Sequence, residues 1–134
     1  AARDLARIDR VRQLRDRLAE GLRDIFPSAR LNGHPQERLP NTLNLTIPEV
    51  RGESLVLAMD RYGVAFSSGS ACRSGSPKPS HALTAMGLSE TDAHCAIRLS
   101  LAQTTRRDEI DAALDAFSKV AAGGWETLRF VACR

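Results

Sequence analysis

The chain has 134 residues and is 43% apolar, which suits one domain with an ordinary core and excludes both disorder and collagen-like repeats. Nineteen Lys and Arg against 16 Asp and Glu leave a net charge of +3, too mild a balance to argue for a nucleic-acid or membrane partner. No apolar run approaches the roughly 18 residues of a membrane span, and the opening AARDLARIDR has no signal-peptide core, so the sequence reads as a cytoplasmic protein.

Leu5, Ile8, Val11, Leu14, Leu18, Leu22 and Ile25 recur every three or four residues and predict a first helix, with Asp4 as a capping residue if it starts slightly later. There is no initiator Met and the chain starts inside this helix, so it reads as a fragment. Pro27 closes the helix, because a proline cannot continue the backbone ladder. The segment PSARLNGHPQERLP that follows reads as a surface connection. From Thr42 to Ile47, Leu43, Leu45 and Ile47 alternate with polar residues, the period of a strand buried on one face. Pro48 ends it. GESLVLAMDR, from Gly52 to Arg61, predicts a second helix with Gly63 at its left-handed end.

Val64 to Phe66 predicts a short strand. Next comes SSGSACRSGSPKPS, from Ser67 to Ser80, whose small residues cannot bury a face of their own and predict a mobile surface loop. Ser80 opens a short helix stopped by Gly87, and Ser89 opens another with Asp92 three residues on, close to a capping box. AIRLSL, from Ala96 to Leu101, alternates as a further strand. A last helix opens at Thr105 or Asp108, carries Ile110, Ala113, Leu114 and Phe117 on one face, and ends at Gly123 and Gly124. Helices on one face of a small sheet make a two-layer α+β domain, with residues 1–134 forming a single unit.

The three cysteines, Cys72, Cys95 and Cys133, form neither an even framework nor a CxxC pair, and no histidine stands at metal-ligand spacing from another or from Cys95. The expectation is no metal site, with Cys95 a small buried residue, Cys133 a tail thiol, and His34, His81 and His94 surface or capping residues. Cys72 is the nucleophile-grade side chain of the Ser/Gly segment, and Arg73 beside it favours the thiolate. The alternative is an incidental surface cysteine. Two familiar loops fail on spacing: Gly69 and Gly75 enclose five residues where a phosphate-binding loop needs four, and Lys78 stands where a phosphatase loop needs Arg. Arg98 lies in mid-strand between Ile97 and Leu99. Inside a sheet its planar fork would suit a carboxylate; on a solvent face it would be an ordinary polar residue of an alternating strand.

SSGSACRSGSPKPSHALTAMGLSETDAHCAIRLSLAQTTRRDEID closely resembles the C-terminal domain of cysteine desulfurases of the NifS/IscS type, in the class V aminotransferase family. LNGHPQERLPNTLNLTIPEVRGESLVLAMDRYGVAFSSGSAC resembles the segment before it, and the similarity covers about residues 1–120. The resemblance implies the small domain of a fold-type I pyridoxal phosphate enzyme. Its parent would convert L-cysteine to L-alanine and pass persulfide sulfur to an acceptor or iron–sulfur scaffold protein. Cys72 then corresponds to the persulfide-forming cysteine and Arg98 to the arginine that holds the substrate's α-carboxylate. Ala102 and Gln103 depart from the more usual Gly-Arg. Neither Lys78 nor Lys119 sits in the family's Schiff-base lysine motif, so no cofactor-binding residue is expected in this chain. The resemblance places that lysine in a large domain that is absent here, makes the fragment inactive alone and makes the parent a homodimer. The rivals are a sulfur-carrier or interaction module that uses Cys72 without the cofactor, and the small domain of a selenocysteine lyase or another class V enzyme.

Overall fold

The computed structural model describes residues 1–73 and 76–130, with side chains described outside 70–77 and 124–130. In chain order the elements are α1 (Ala2–Ile25), β1 (Arg30–Leu31), β2 (Thr42–Thr46), α2 (Gly52–Asp60), β3 (Ser67–Ser68), β4 (Ser70–Arg73), β5 (Ser76–Pro79), α3 (His81–Ala85), α4 (Glu90–His94), β6 (Ala96–Ser100) and α5 (Arg107–Phe130). β1, β2, β6 and β3 form one antiparallel sheet in that order, and β4 and β5 form a separate two-stranded ribbon. This is the expected α+β architecture. No helix among the described residues is long and apolar enough to cross a membrane.

The pleat sorts β2 and β6 by alternate residues. Leu43, Leu45, Ile97 and Leu99 are buried on one face, where α1, α2 and α5 close over them with Leu18, Leu22, Leu55, Met59, Ile110 and Phe117. Phe117 is fully buried between Phe26, edge-on at 6.4 Å, and Phe66 at 5.5 Å. α1 and α5 pack closely enough that a Cβ on Gly21 would meet the Leu114 side chain at 2.5 Å. Arg10 adds a polar tie, donating to the carbonyl of Thr105 at 2.7 Å and to that of Gln103. A second, smaller cluster of Leu83, Ala93 and Ala96, with Leu88 against it, seats α3 and α4.

Most helix boundaries follow the expected punctuation. α1 stops at Ile25, two residues before Pro27, although no side chain caps its start and Asp4 lies inside it. Gly63 and Gly87 adopt positive φ. The Ser89 hydroxyl accepts from the Asp92 amide at 3.1 Å.

Four expectations need correction. The strand expected at Val64–Phe66 is absent; Val64 N instead turns back to the Met59 carbonyl at 3.2 Å, and pairing begins at Ser67. The Ser/Gly segment is not an element-free loop, because it supplies β3 to the main sheet and both strands of the ribbon. The connection after α1 contains β1, paired with the end of β2. α5 does not end at Gly123 and Gly124 but runs to Phe130. A mid-helix glycine costs about 1 kcal/mol relative to alanine, which weakens a helix without forbidding it.

Candidate functional site

β6 is interior to the sheet, flanked by β2 and β3, so Arg98 faces Asn44 in one register and Ser67 in the other. All three belong to the face opposite the core. Arg98 is exposed there, Asn44 half-buried. Nη2 of Arg98 reaches the Ser67 hydroxyl at 3.5 Å, a long contact that leaves most of the guanidinium's donors available. Among the described residues no carboxylate lies within ion-pair distance of it.

This face floors a concavity of about 790 Å³, bordered by Asn32 and His34 after β1, by Arg38 and Leu39, by Ser67, Ser68 and Gly69, and by Leu83 and Met86 of the α3 region. Its polar floor is built as a network. Asn32 Nδ2 donates to Asn44 Oδ1 at 2.8 Å and to Thr46 Oγ1 at 2.9 Å, which satisfies a threonine that is only 1% exposed. On the rim, His34 Nδ1 accepts from the amides of Gln36 and Glu37 at 3.1 and 2.8 Å, the capping role expected of it. Arg38 lies between this concavity and a second one under α1. Its Nε is buried without a partner among the described residues, and burial, with Arg15 nearby, pulls the guanidinium below its ordinary value.

The Cys72 segment is rooted beside this floor. Gly69 N donates to the Ala96 carbonyl at 2.6 Å, and Ser80 N closes the base of the ribbon on the Gly69 carbonyl at 2.9 Å. Gly69 has to be glycine, since a Cβ there would lie 2.5 Å from the Ala93 carbonyl oxygen and 2.8 Å from the Ala96 Cβ. Gly52 meets the other side of the same residue, where a Cβ would run into the Ala96 carbonyl oxygen. Cys72 lies in β4 opposite Pro77 of β5, and its side chain falls outside the described residues. Cys133 also lies outside them. Cys95 is buried as expected, at 1% exposure.

The sequence therefore pointed to Arg98 and to the Cys72 segment and missed Asn32, Asn44 and Ser67. Asn44 had a local signal, the polar half of the Thr42–Ile47 alternation. Ser67 and Asn32 had none. Among the described residues no three His, Cys, Asp or Glu side chains gather as a metal site.

The chain matches the class V aminotransferase family model over residues 4–113. The chain belongs to the class V aminotransferase family. It is 47% identical over 107 residues to cysteine desulfurase 2 of Trichormus variabilis, covering 80% of this chain and 27% of that protein. To the cysteine desulfurase NifS of Azotobacter vinelandii it is 45% identical over 101 residues, covering 75% of this chain and 25% of that one. A NifS-like protein from Rickettsia africae superposes with a TM-score of 0.73 at 29% identity, over 86% of this chain and 29% of that structure. This class V aminotransferase chain thus spans about a quarter of the length of the curated relatives it matches.

Pyridoxal phosphate, the cofactor the family implies, needs an amine held in a pocket and kept neutral enough to attack. The two lysines of this class V aminotransferase chain do not fit. Lys119 is exposed on α5, and its bond to Asp115 at 2.8 Å raises its pKa. Lys78 is exposed on β5.

Proposed function

We propose that this chain is the small domain of a cysteine desulfurase. The parent enzyme takes sulfur from L-cysteine, releases L-alanine and hands the sulfur to an acceptor or iron–sulfur scaffold protein. In the net transfer the substrate's C–S bond is replaced by C–H and a persulfide S–S bond forms on Cys72, so that a thiol and cysteine become a persulfide and alanine with no outside oxidant. Arg98 holds the substrate's α-carboxylate in a charge-assisted, bidentate contact. A pyridoxal phosphate carried by the remaining part of the enzyme supplies the electron sink at the substrate carbon; the residues of this chain contribute the thiol, the carboxylate site and the scaffold between them.

The observation that carries this reading is the bond from Gly69 to Ala96. It roots the thiol-bearing ribbon on the strand that presents Arg98, two residues further along, so one rigid element serves both the group that holds substrate and the group that accepts sulfur. A cytoplasmic location follows from the chemistry, because a persulfide carrier needs its thiol reduced. A homodimeric parent belongs to the same proposal.

The test uses the whole enzyme. Cys72→Ala is expected to abolish alanine formation while L-cysteine still binds, and Arg98→Ala to weaken L-cysteine binding by thirtyfold or more, since a desolvated charged contact of this kind is worth about 2–4 kcal/mol. Titration of each variant with L-cysteine, alongside alanine release, separates the two effects. Normal alanine release from the Cys72 variant would overturn the reading.

A further inference from the structure

We propose that Asn44 is a second donor to the substrate's α-carboxylate and that Asn32 sets the orientation in which it donates. The inference rests on the reading of Arg98 as the carboxylate holder and adds to it a partner on the neighbouring strand.

Register brings the two residues together. Asn44 and Arg98 are direct cross-strand partners in the β2–β6 ladder and both border the concavity, which sets their Cβ atoms roughly 5 Å apart with both side chains on one face. A carboxylate lying between them meets the guanidinium from one side and the amide from the other.

The amide is turned the right way for this. Asn44 Oδ1 is engaged by Asn32 Nδ2 at 2.8 Å, from the β1 side of the sheet. Turning Asn44 alone would set two NH₂ groups against each other at that distance. Asn32 is itself held in place: Thr46 Oγ1 lies 2.9 Å from its Nδ2 and 3.2 Å from its Oδ1, and its backbone amide donates to the Asn44 carbonyl at 3.0 Å. Asn44 Nδ2 is therefore left on the edge away from Asn32, without a protein acceptor among the described residues. A half-buried donor in that position is open to an acceptor on a ligand.

The two donors divide the work. Arg98 supplies charge from a long side chain, whereas Asn44 supplies one short, fixed hydrogen bond close to the sheet. Together they define the plane of the carboxylate and hence the direction in which the rest of the amino acid leaves it. An amino acid amide, which offers one oxygen and no charge, loses the advantage of both.

The experiment is an NMR titration of the whole enzyme, labelled with ¹⁵N, using L-alanine as the probe and L-alaninamide as the control. The Arg98 Nε–H and the Asn44 side-chain NH₂ resonances are expected to move together and saturably with L-alanine and to stay in place with L-alaninamide. In Asn44→Asp the oxygen that faces Asn32 is kept, so the sheet network survives, but the donor becomes a second anion; L-alanine is expected to bind at least tenfold more weakly. Asn32→Ala is expected to reduce the Asn44 shift while leaving the Arg98 shift. Movement of Arg98 without Asn44 would overturn the inference and leave the reading of Arg98 standing. If neither resonance responds, the carboxylate site itself is wrong and the inference falls with it.

Discussion

The amide of Gly69 donates to the carbonyl of Ala96 at 2.6 Å, so the segment that leads to Cys72 leaves the sheet from a fixed point two residues before Arg98. A methyl group at position 69 would strike the Ala93 carbonyl oxygen at 2.5 Å and the Leu83 side chain at 3.0 Å. Backbone and buried side chains yield little. Gly69→Ala is expected to cost about 1–3 kcal/mol, as overpacking does in other cores, read as a lower urea midpoint at an unchanged slope.

The centre of the core makes a larger demand. Phe117 is fully buried and touches Phe26 and Phe66, so Phe117→Ala is expected to cost about 3–5 kcal/mol by lost transfer energy and cavity formation. Thermal unfolding followed by circular dichroism measures it. A loss below about 1 kcal/mol would mean that α5 does not close this core.

Ser89 tests a single cap. Its hydroxyl accepts the Asp92 amide at the start of α4, and Ser89→Ala is expected to lower stability by about 1 kcal/mol, whereas Ser89→Asp should retain it.

The thiols should differ in reactivity. Cys95 is 1% exposed, whereas Cys72 stands in a Ser/Gly-rich segment with Arg73 beside it. Alkylation with peptide mapping is expected to label Cys72 rapidly and Cys95 only after unfolding. Prior labelling of Cys95 in the folded chain would contradict its buried position.

One carboxylate gives a pH signature. The bond from the Arg106 guanidinium at 3.0 Å holds the Asp108 carboxyl below its ordinary value of 3.8. The folded state thus binds this proton less readily than the unfolded chain. Its contribution to stability is complete above the ordinary value and fades as pH falls through the lower folded one. Carbon-detected NMR titration should find the Asp108 midpoint depressed, and Arg106→Ala should return it towards normal.

The elements that the sequence announced are those with a local rhythm. β2 and β6 alternate, α1 and the first turns of α5 repeat at three or four residues, and Pro27, Gly63, Gly87 and Ser89 mark boundaries by constraints on their own backbone. What stayed hidden depends on a distant partner. Ser67 and Ser68 form a strand because Arg98 and Ile97 lie alongside them, and nothing in a run of serines shows that. Arg30 and Leu31 pair with Thr46 and Leu45 across a connection rich in proline and glycine. The candidate site divides in the same way. Arg98 was conspicuous as a charge inside an apolar alternation, but the meeting of Asn32, Asn44 and Arg98 follows from sheet register, which composition does not encode.

In β2 and β6 the odd-numbered residues Leu43, Leu45, Ile97 and Leu99 enter the core, while the even-numbered Asn44 and Arg98 floor the concavity. Fold and recognition are thus written in alternate letters of the same two words. Variation at Asn44 and Arg98 can retune what the face binds while the hydrophobic layer beneath stays whole. Deletion of one residue within either strand has the opposite character: it exchanges the two alphabets, pressing polar or charged groups into hydrocarbon and laying isoleucine or leucine across the site.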